Sequence, residues 1–301
     1  MSVEVPAVGV DIGGTKIAVG TVATDGRVLE EVSAPTPDDT ATIPALIADL
    51  IARVTPSGGV AAVGIGAAGF ISSDRSTVRF SPNIAWADEP LGAAVQQLVG
   101  VPVVVENDAN AAAWGEFRFG SGTDVDDLLL VTIGTGVGGG LVQRGAVVRG
   151  ASGTATEIGH MRLVPDGLPC GCGQRGCFEQ YVSGSALVRA GRERLGSETV
   201  SGPQITRLAQ DGDEAAVELL AELGARAGEG IASLAAILDP AVVLIGGGVS
   251  DAGELLMTPL KHAFSAHLSG AAHRPTIDVR PAALGNSAGL VGAADLSRIG
   301  G

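Results

Sequence analysis

Near its start the chain alternates apolar and small residues through AVGVDIGGTKIAVGTVATDGRVLEEV, with Asp25-Gly26 as a turn signal inside the run. A period of two broken by tight turns predicts two or three antiparallel strands. The period then changes: Ile43, Leu46, Ile47, Leu50, Ile51 and Val54 fall at three- and four-residue steps, the apolar stripe of an amphipathic helix. VAAVGIG reads as the next strand, and VPVVVEND as a buried strand ending in polar residues, with a helix starting at Asp108. DLLLVTIGTGVGGGLVQ repeats the glycine-rich strand-and-turn theme of the N-terminus, which predicts two similar halves. The second half closes with a helical stretch from Asp213 to Leu238, the strand AVVLIGGG and a last helix around Ala288 to Leu296. The class is α/β with mixed sheets.

Composition narrows the function. A chain of 301 residues, 46% hydrophobic and 17% charged, has the volume for two medium domains and is not disordered. Its longest apolar runs are of strand length and its N-terminus lacks the basic start of a signal peptide, so no membrane partner and a cytoplasmic location are expected. A formal charge of −14 opposes phosphate-backbone binding, so no nucleic acid is expected either, and small molecules are the expected partners.

Two glycine runs suggest phosphate loops but fail the familiar templates. GVDIGGTK has P-loop spacing from Gly9 to Gly14, yet Thr15-Lys16 reverses the Lys-Ser/Thr order and a strand pattern follows. GTGVGG, from Gly134 to Gly139, fits the dinucleotide spacing, but a hairpin pattern follows where a helix should open. Both are strand, glycine turn and strand, with Thr15 and Thr135 beside glycines whose amides can approach phosphate oxygens. Either loop alone could also be a plain hairpin turn.

Together DIGGTKIA, SPNIAW, VENDANAAAWGE, TIGTGVGGG, EIGH, CGCGQRGCFEQYVSG and LIGGGVS resemble the ROK sugar kinases, and within them the bacterial glucokinases, from about Val8 to Asp295. The resemblance implies an actin/hexokinase-like (ribonuclease H-like) two-domain fold with an interdomain cleft that holds the sugar. A small α/β domain would comprise residues 1–112 plus about 286–301, and a large α/β domain residues 113–285. It also implies glucose and ATP as substrates, Mg²⁺ with the ATP, and a homodimer or dimer of dimers.

Chemistry assigns roles within that frame. A sugar hydroxyl is a poor nucleophile until a carboxylate accepts its proton, and Asp108, at the strand-to-helix junction, is the candidate base; the alternative for an Asp there is a helix cap. Asn107 should bind the sugar beside it, with Gly69 and Asn83. Asp11 would hold Mg²⁺ directly or through water, Gly13, Gly14, Thr15 and Lys16 would face the transferring phosphate, and Gly134, Thr135, Gly136 and Gly138 would hold the nucleotide phosphates. Gly246, Gly247 and Gly248 resemble the loop against which adenosine rests.

All three cysteines and a histidine fall within GHMRLVPDGLPCGCGQRGC. His160, Cys170, Cys172 and Cys177 supply the four ligands that tetrahedral Zn²⁺ prefers, and a structural zinc site is the reading; a disulfide would strand one thiol. The ring nitrogen of His160 not bound to metal is then available to a sugar hydroxyl. Glu157 and Glu179 match the family's sugar-contacting acids. Two residues depart from the family: Thr156 stands where relatives usually carry Gly, and Ala68 where many carry Pro. Both flank sugar contacts, so mannose or an N-acetylhexosamine is the alternative substrate. A sugar-responsive repressor would need a DNA-binding domain, for which the residues before Asp11 leave no room; a non-catalytic sensor would not need Asp108, Asp11 and both glycine loops together.

Overall fold

The computed structural model describes residues 5–81, 84–196 and 198–299. The opening alternation forms an antiparallel meander, β1 (Ala7–Ile12), β2 (Lys16–Val22) and β3 (Val28–Pro35). The predicted stripe becomes α1 (Ile43–Val54), which buries Ile43, Ile47, Leu50, Ile51 and Val54. Next come β4 (Val63–Ala67), parallel to β1, and a small antiparallel sheet of β5 (Phe70–Ile71), β6 (Val78–Ser81) and β7 (Trp86–Glu89). Helix α2 (Leu91–Val99) ends at Gly100 in the left-handed region, φ +73°. Strand β8 (Val103–Asn107) then runs parallel to β4 and passes directly into α3 (Asp108–Phe119).

A second sheet is built from β9 (Leu128–Ile133), β10 (Val137–Gln143), β11 (Ala146–Val147) and two strands from later in the chain. Helices α4 (Glu179–Val182), α5 (Gly184–Leu195), α6 (Gly202–Gln210) and α7 (Glu214–Leu238) follow. Asp213 caps α7, accepting the Ala216 N–H at 2.9 Å. After β12 (Val242–Gly246) come α8 (Glu254–His267), β13 (Asp278–Pro281) and α9 (Ala288–Ile299). The two large sheets have the orders β3-β2-β1-β4-β8 and β11-β10-β9-β12-β13.

Chain contacts divide the molecule into two compact units, Met1–Leu128 with Gly140–Thr156 and Ala283–Gly301, and Leu129–Gly139 with Glu157–Ala282. In the first, strand alternation separates two layers. Val8, Val10 and Ile12 pack with Ile43, Ile47 and Leu50 of α1, whereas Ala7 packs on α9 against Leu290, Val291 and Ala294. Two close approaches to α9 require glycine: a Cβ on Gly64 would overlap the Ala293 carbonyl, and one on Gly292 would overlap that of Ala111. Asp11 shares this face of β1 and lies beside Gly289, whose Cβ would stand 3.5 Å from its carboxylate. Among the described residues no helix is long and apolar enough to cross a membrane.

Candidate functional site

The junction of β8 and α3 is organised by Asn107. Its backbone is extended (φ −63°, ψ 140°), and its Oδ1 accepts the Asn110 N–H at 3.0 Å, so Asn107 is the helix cap. Its Nδ2 donates to the Gly69 carbonyl at 3.1 Å. Gly69 has φ +129°, and a Cβ there would run into the Phe80 carbonyl, so the bend that presents this carbonyl requires glycine. The cap function thus belongs to Asn107, and Asp108 is the first residue inside the helix. Asp108 is half-buried and its Oδ1 accepts the adjacent Ala109 N–H at 2.9 Å. Burial pushes its carboxyl above the usual carboxylate range. Asp11 is pushed up to about 6, first by burial and then by the charge of Asp108, with Lys16 opposing and Glu31 adding to the rise. Two mutually repelling carboxylates with raised pKa values favour a proton or a cation between them. Asn83 lies outside the described residues.

The first glycine loop joins β1 to β2. The Gly13 N–H donates to the Lys16 carbonyl at 3.0 Å, the Thr36 hydroxyl donates to the Gly13 carbonyl at 2.7 Å, and the Thr36 N–H to that of Thr15 at 3.0 Å. Carbonyls are therefore turned inward while Gly14, Thr15 and Lys16 stay exposed. The second loop repeats this between β9 and β10. The Gly134 carbonyl accepts the Gly184 N–H at 2.7 Å, and the Thr135 carbonyl accepts the Ser185 hydroxyl at 2.8 Å, with Thr135 exposed and Gly136 and Gly138 half-buried. The run after β12 turns at Gly247, φ +84°, where a Cβ would stand 2.5 Å from the Ile133 carbonyl; Gly246 is buried, and Gly248 opens the following 3₁₀ turn. Each turn is strand-glycine-turn, as the pattern predicts, with exposed backbone that suits an anionic ligand.

The cysteine segment folds back on itself through bridges Arg162↔Cys177 and Pro169↔Arg175. The ligand atoms of His160, Cys170, Cys172 and Cys177 all lie within 4.8 Å of one another. Cys170 Sγ is 3.7 Å from His160 Nδ1, and Cys172 Sγ is 3.6 Å from Cys177 Sγ. Tetrahedral zinc with ordinary bond lengths puts its ligands about 3.6–3.8 Å apart, so the donor set fits that ion in chemistry and these two pairs fit it in spacing. Burial pushes the Cys170 thiol up to about 12, so a cation is what would make it a thiolate. As a thiol it donates to Glu179 Oε1 at 3.0 Å, and His160 Nδ1 is 3.8 Å from the same oxygen. Deprotonated, Cys170 has no hydrogen to give, and Glu179 is released from it. Glu157 sits immediately before the 3₁₀ turn Ile158–His160 that carries the histidine.

Thr156 stands in a backbone conformation that favours glycine. It has φ +67°, a region glycine enters freely and a β-branched residue rarely does. Its hydroxyl donates to the Ala155 carbonyl at 2.6 Å and faces Asn110 Oδ1 at 3.4 Å. Ala68 falls in the bend between β4 and β5. One group escaped the sequence reading: Glu106, buried at 3% exposure beside the junction. A lone charge in an apolar strand is the signal that marks it.

The ROK family model matches residues 7–299. The chain is 48% identical to the glucokinase of Streptomyces coelicolor over 311 aligned positions, covering 97% of each chain. It superposes on a ROK family glucokinase from Streptomyces griseus, solved in complex with glucose and AMPPNP, with a TM-score of 0.91, 47% identity and coverage of 98% of this chain and 99% of that one. A ROK hexokinase from Thermus thermophilus follows with a TM-score of 0.85, 37% identity and 98% coverage of both. The mixed α/β fold is the actin/hexokinase-like one that the motifs imply. Matched along nearly its whole length by model, sequence and structure, the chain belongs to the ROK family.

Proposed function

We propose that this chain is an ATP-dependent glucokinase that phosphorylates the 6-hydroxyl of glucose, with Asp108 as general base. The observation that carries the proposal is the Asn107–Asp108 junction. Asn107 takes the capping role, which leaves the Asp108 carboxylate at a fixed strand-to-helix step with a raised pKa. A carboxylate of raised pKa is a better proton acceptor for an alcohol. As the bond from O6 to the γ-phosphorus forms and the bond from that phosphorus to the ADP oxygen breaks, the hydroxyl proton passes to Asp108. The Asn107 amide has one N–H on Gly69, and its second is available to a sugar hydroxyl.

The remaining roles follow the same reading. Gly69 and Asn83 contribute to the sugar site, as do Glu157, Glu179 and His160, the last through the ring nitrogen that does not bind metal. Zinc, when bound, would cross-link the His160 turn to the cysteine loop, and His160, Cys170, Cys172 and Cys177 would hold it. Mg²⁺, when bound with ATP, would neutralise phosphate charge, and Asp11 would hold it, directly or through water. Gly13 to Lys16 receive the transferring phosphate, Gly134 to Gly138 the nucleotide phosphates, and Gly246 to Gly248 the adenosine. The assembly is a homodimer or dimer of dimers, which sedimentation reads directly.

A panel of glucose, mannose, N-acetylglucosamine and N-acetylmannosamine, each offered with ATP and with polyphosphate, tests the proposal. Glucose with ATP is expected to give the highest kcat/KM. A higher value with another hexose would reassign the substrate, and absence of turnover with all of them would remove the kinase reading.

A further inference from the structure

Glu106 is the next-to-last residue of the apolar strand β8, and its carboxylate is engaged on several sides. Oε2 accepts from Arg149 Nε at 2.7 Å, with Arg75 Nε at 3.5 Å. Oε1 accepts from Asn110 Nδ2 at 3.2 Å and from the Asn107 backbone N–H at 3.2 Å. An ionised carboxylate only accepts, so Asn110 turns its NH₂ toward Glu106 and its carbonyl oxygen away. That oxygen is the one 3.4 Å from the Thr156 hydroxyl. The segment 149–156 is thus tied to one buried carboxylate directly at its start, through Arg149, and approaches it at its end by way of Asn110, toward which Thr156 shares the hydroxyl hydrogen it gives mainly to Ala155. The Ala155 N–H donates to the Arg149 carbonyl at 3.0 Å and closes the segment on itself.

What this tether holds is a strained residue. Thr156 at φ +67° is a β-branched side chain in the left-handed region, a conformation that persists only where its surroundings impose it. The residue after it is Glu157. We propose that Glu106 is a positioning residue: through Arg149 and Asn110 it keeps Thr156 left-handed, and so sets the direction in which the chain delivers Glu157 to the sugar. The inference rests on the glucokinase reading, because it gives Glu157 a sugar to bind.

The test measures kcat, KM for glucose and KM for ATP separately on the full-length protein, with a melting temperature for each variant. Glu106→Gln removes the charge that holds Arg149, and is expected to raise KM for glucose about tenfold or more while KM for ATP stays within about twofold. Arg149, only partly buried, provides a variant that folds if Glu106→Gln does not: Arg149→Gln should show the same split. Glycine at position 156 has no strain to restrain, so adding Thr156→Gly to Arg149→Gln should recover at least about threefold of the glucose KM. A purely structural ion pair predicts no such rescue. Lower melting temperatures with unchanged glucose KM, equal increases in both KM values, or no rescue by Thr156→Gly in an active protein would each overturn the inference alone. A wild-type protein inactive on every hexose would overturn the glucokinase reading and the inference with it.

Discussion

The Asn107–Asp108 junction and the Cys170–Cys177 loop both crowd reactive groups into a few residues, but they are held by different means. At the junction the protein satisfies itself: Asn107 caps α3, donates to Gly69, and receives support from Glu106 through its own backbone N–H. In the loop the backbone closes its own turns, as where the Cys170 N–H donates to the Gln174 carbonyl at 2.9 Å, yet the four ligand side chains converge without any group of opposite charge among them. Burial holds Cys170 and Cys177 above the ordinary thiol range. Preorganisation at the first site is written in hydrogen bonds; at the second it waits for a cation.

The largest effect should come from breaking the junction without touching the loop. Asp108→Asn keeps size and shape while removing the proton acceptor, so kcat is expected to fall about 10²–10⁴-fold, with glucose affinity and zinc content unchanged. Turnover near the wild-type value would take Asp108 out of the mechanism. The converse variant is Cys172→Ala, or removal of metal by a chelator. Cys172→Ala removes one of the four ligands, and the loss should fall on glucose, whose affinity is expected to drop about tenfold or more, because His160 and Glu179 stand at the cysteines. Nucleotide binding through the glycine loops should persist, and far-ultraviolet circular dichroism should stay nearly unchanged, since the apolar cores do not depend on the metal. Elemental analysis finding no zinc in protein purified without chelator would end the comparison at its premise.

The two regions also differ in how far the sequence alone discloses them. The helix start at Asp108 is legible because a buried apolar strand ends there in polar residues, and α3 begins at that residue. The cysteine cluster is legible because no other cysteine exists to pair with it. By contrast, the tether at Glu106 joins Arg149 across 43 residues of chain, a separation over which no local pattern carries information. The same limit hides the β5-β6-β7 sheet, whose strands of two to four residues are too short to express a period. Helix α8 is masked differently, by Pro259 in its interior. At Thr156 only the backbone reveals a positive φ, which no local pattern in the sequence announces. Its hydroxyl turns toward Ala155 and Asn110, which no motif indicates.

The smallest predicted effect sharpens the electrostatic side of the comparison. Asp11 is an acid whose folded-state pKa, about 6, lies above its ordinary 3.8, chiefly through burial and then through Asp108. Between these values the folded protein keeps a proton that the unfolded chain has released, so stability falls as pH rises through the window and remains lower above it. Asp11→Asn removes the penalty. At pH 7.5 the variant should be more stable than wild type by on the order of 1 kcal/mol, solvent at the partly exposed carboxylate screening the rest of the cost. The advantage should shrink as pH falls from 6 toward 4, where wild-type Asp11 becomes neutral too. Thermal melts of both proteins at several pH values measure this, and an advantage that does not vary with pH would mean that Asp11 ionises normally in the fold. The same variant should lose phosphoryl transfer while gaining stability, because a carboxylate kept at an electrostatic cost beside Asp108 is one that a bound cation would relieve.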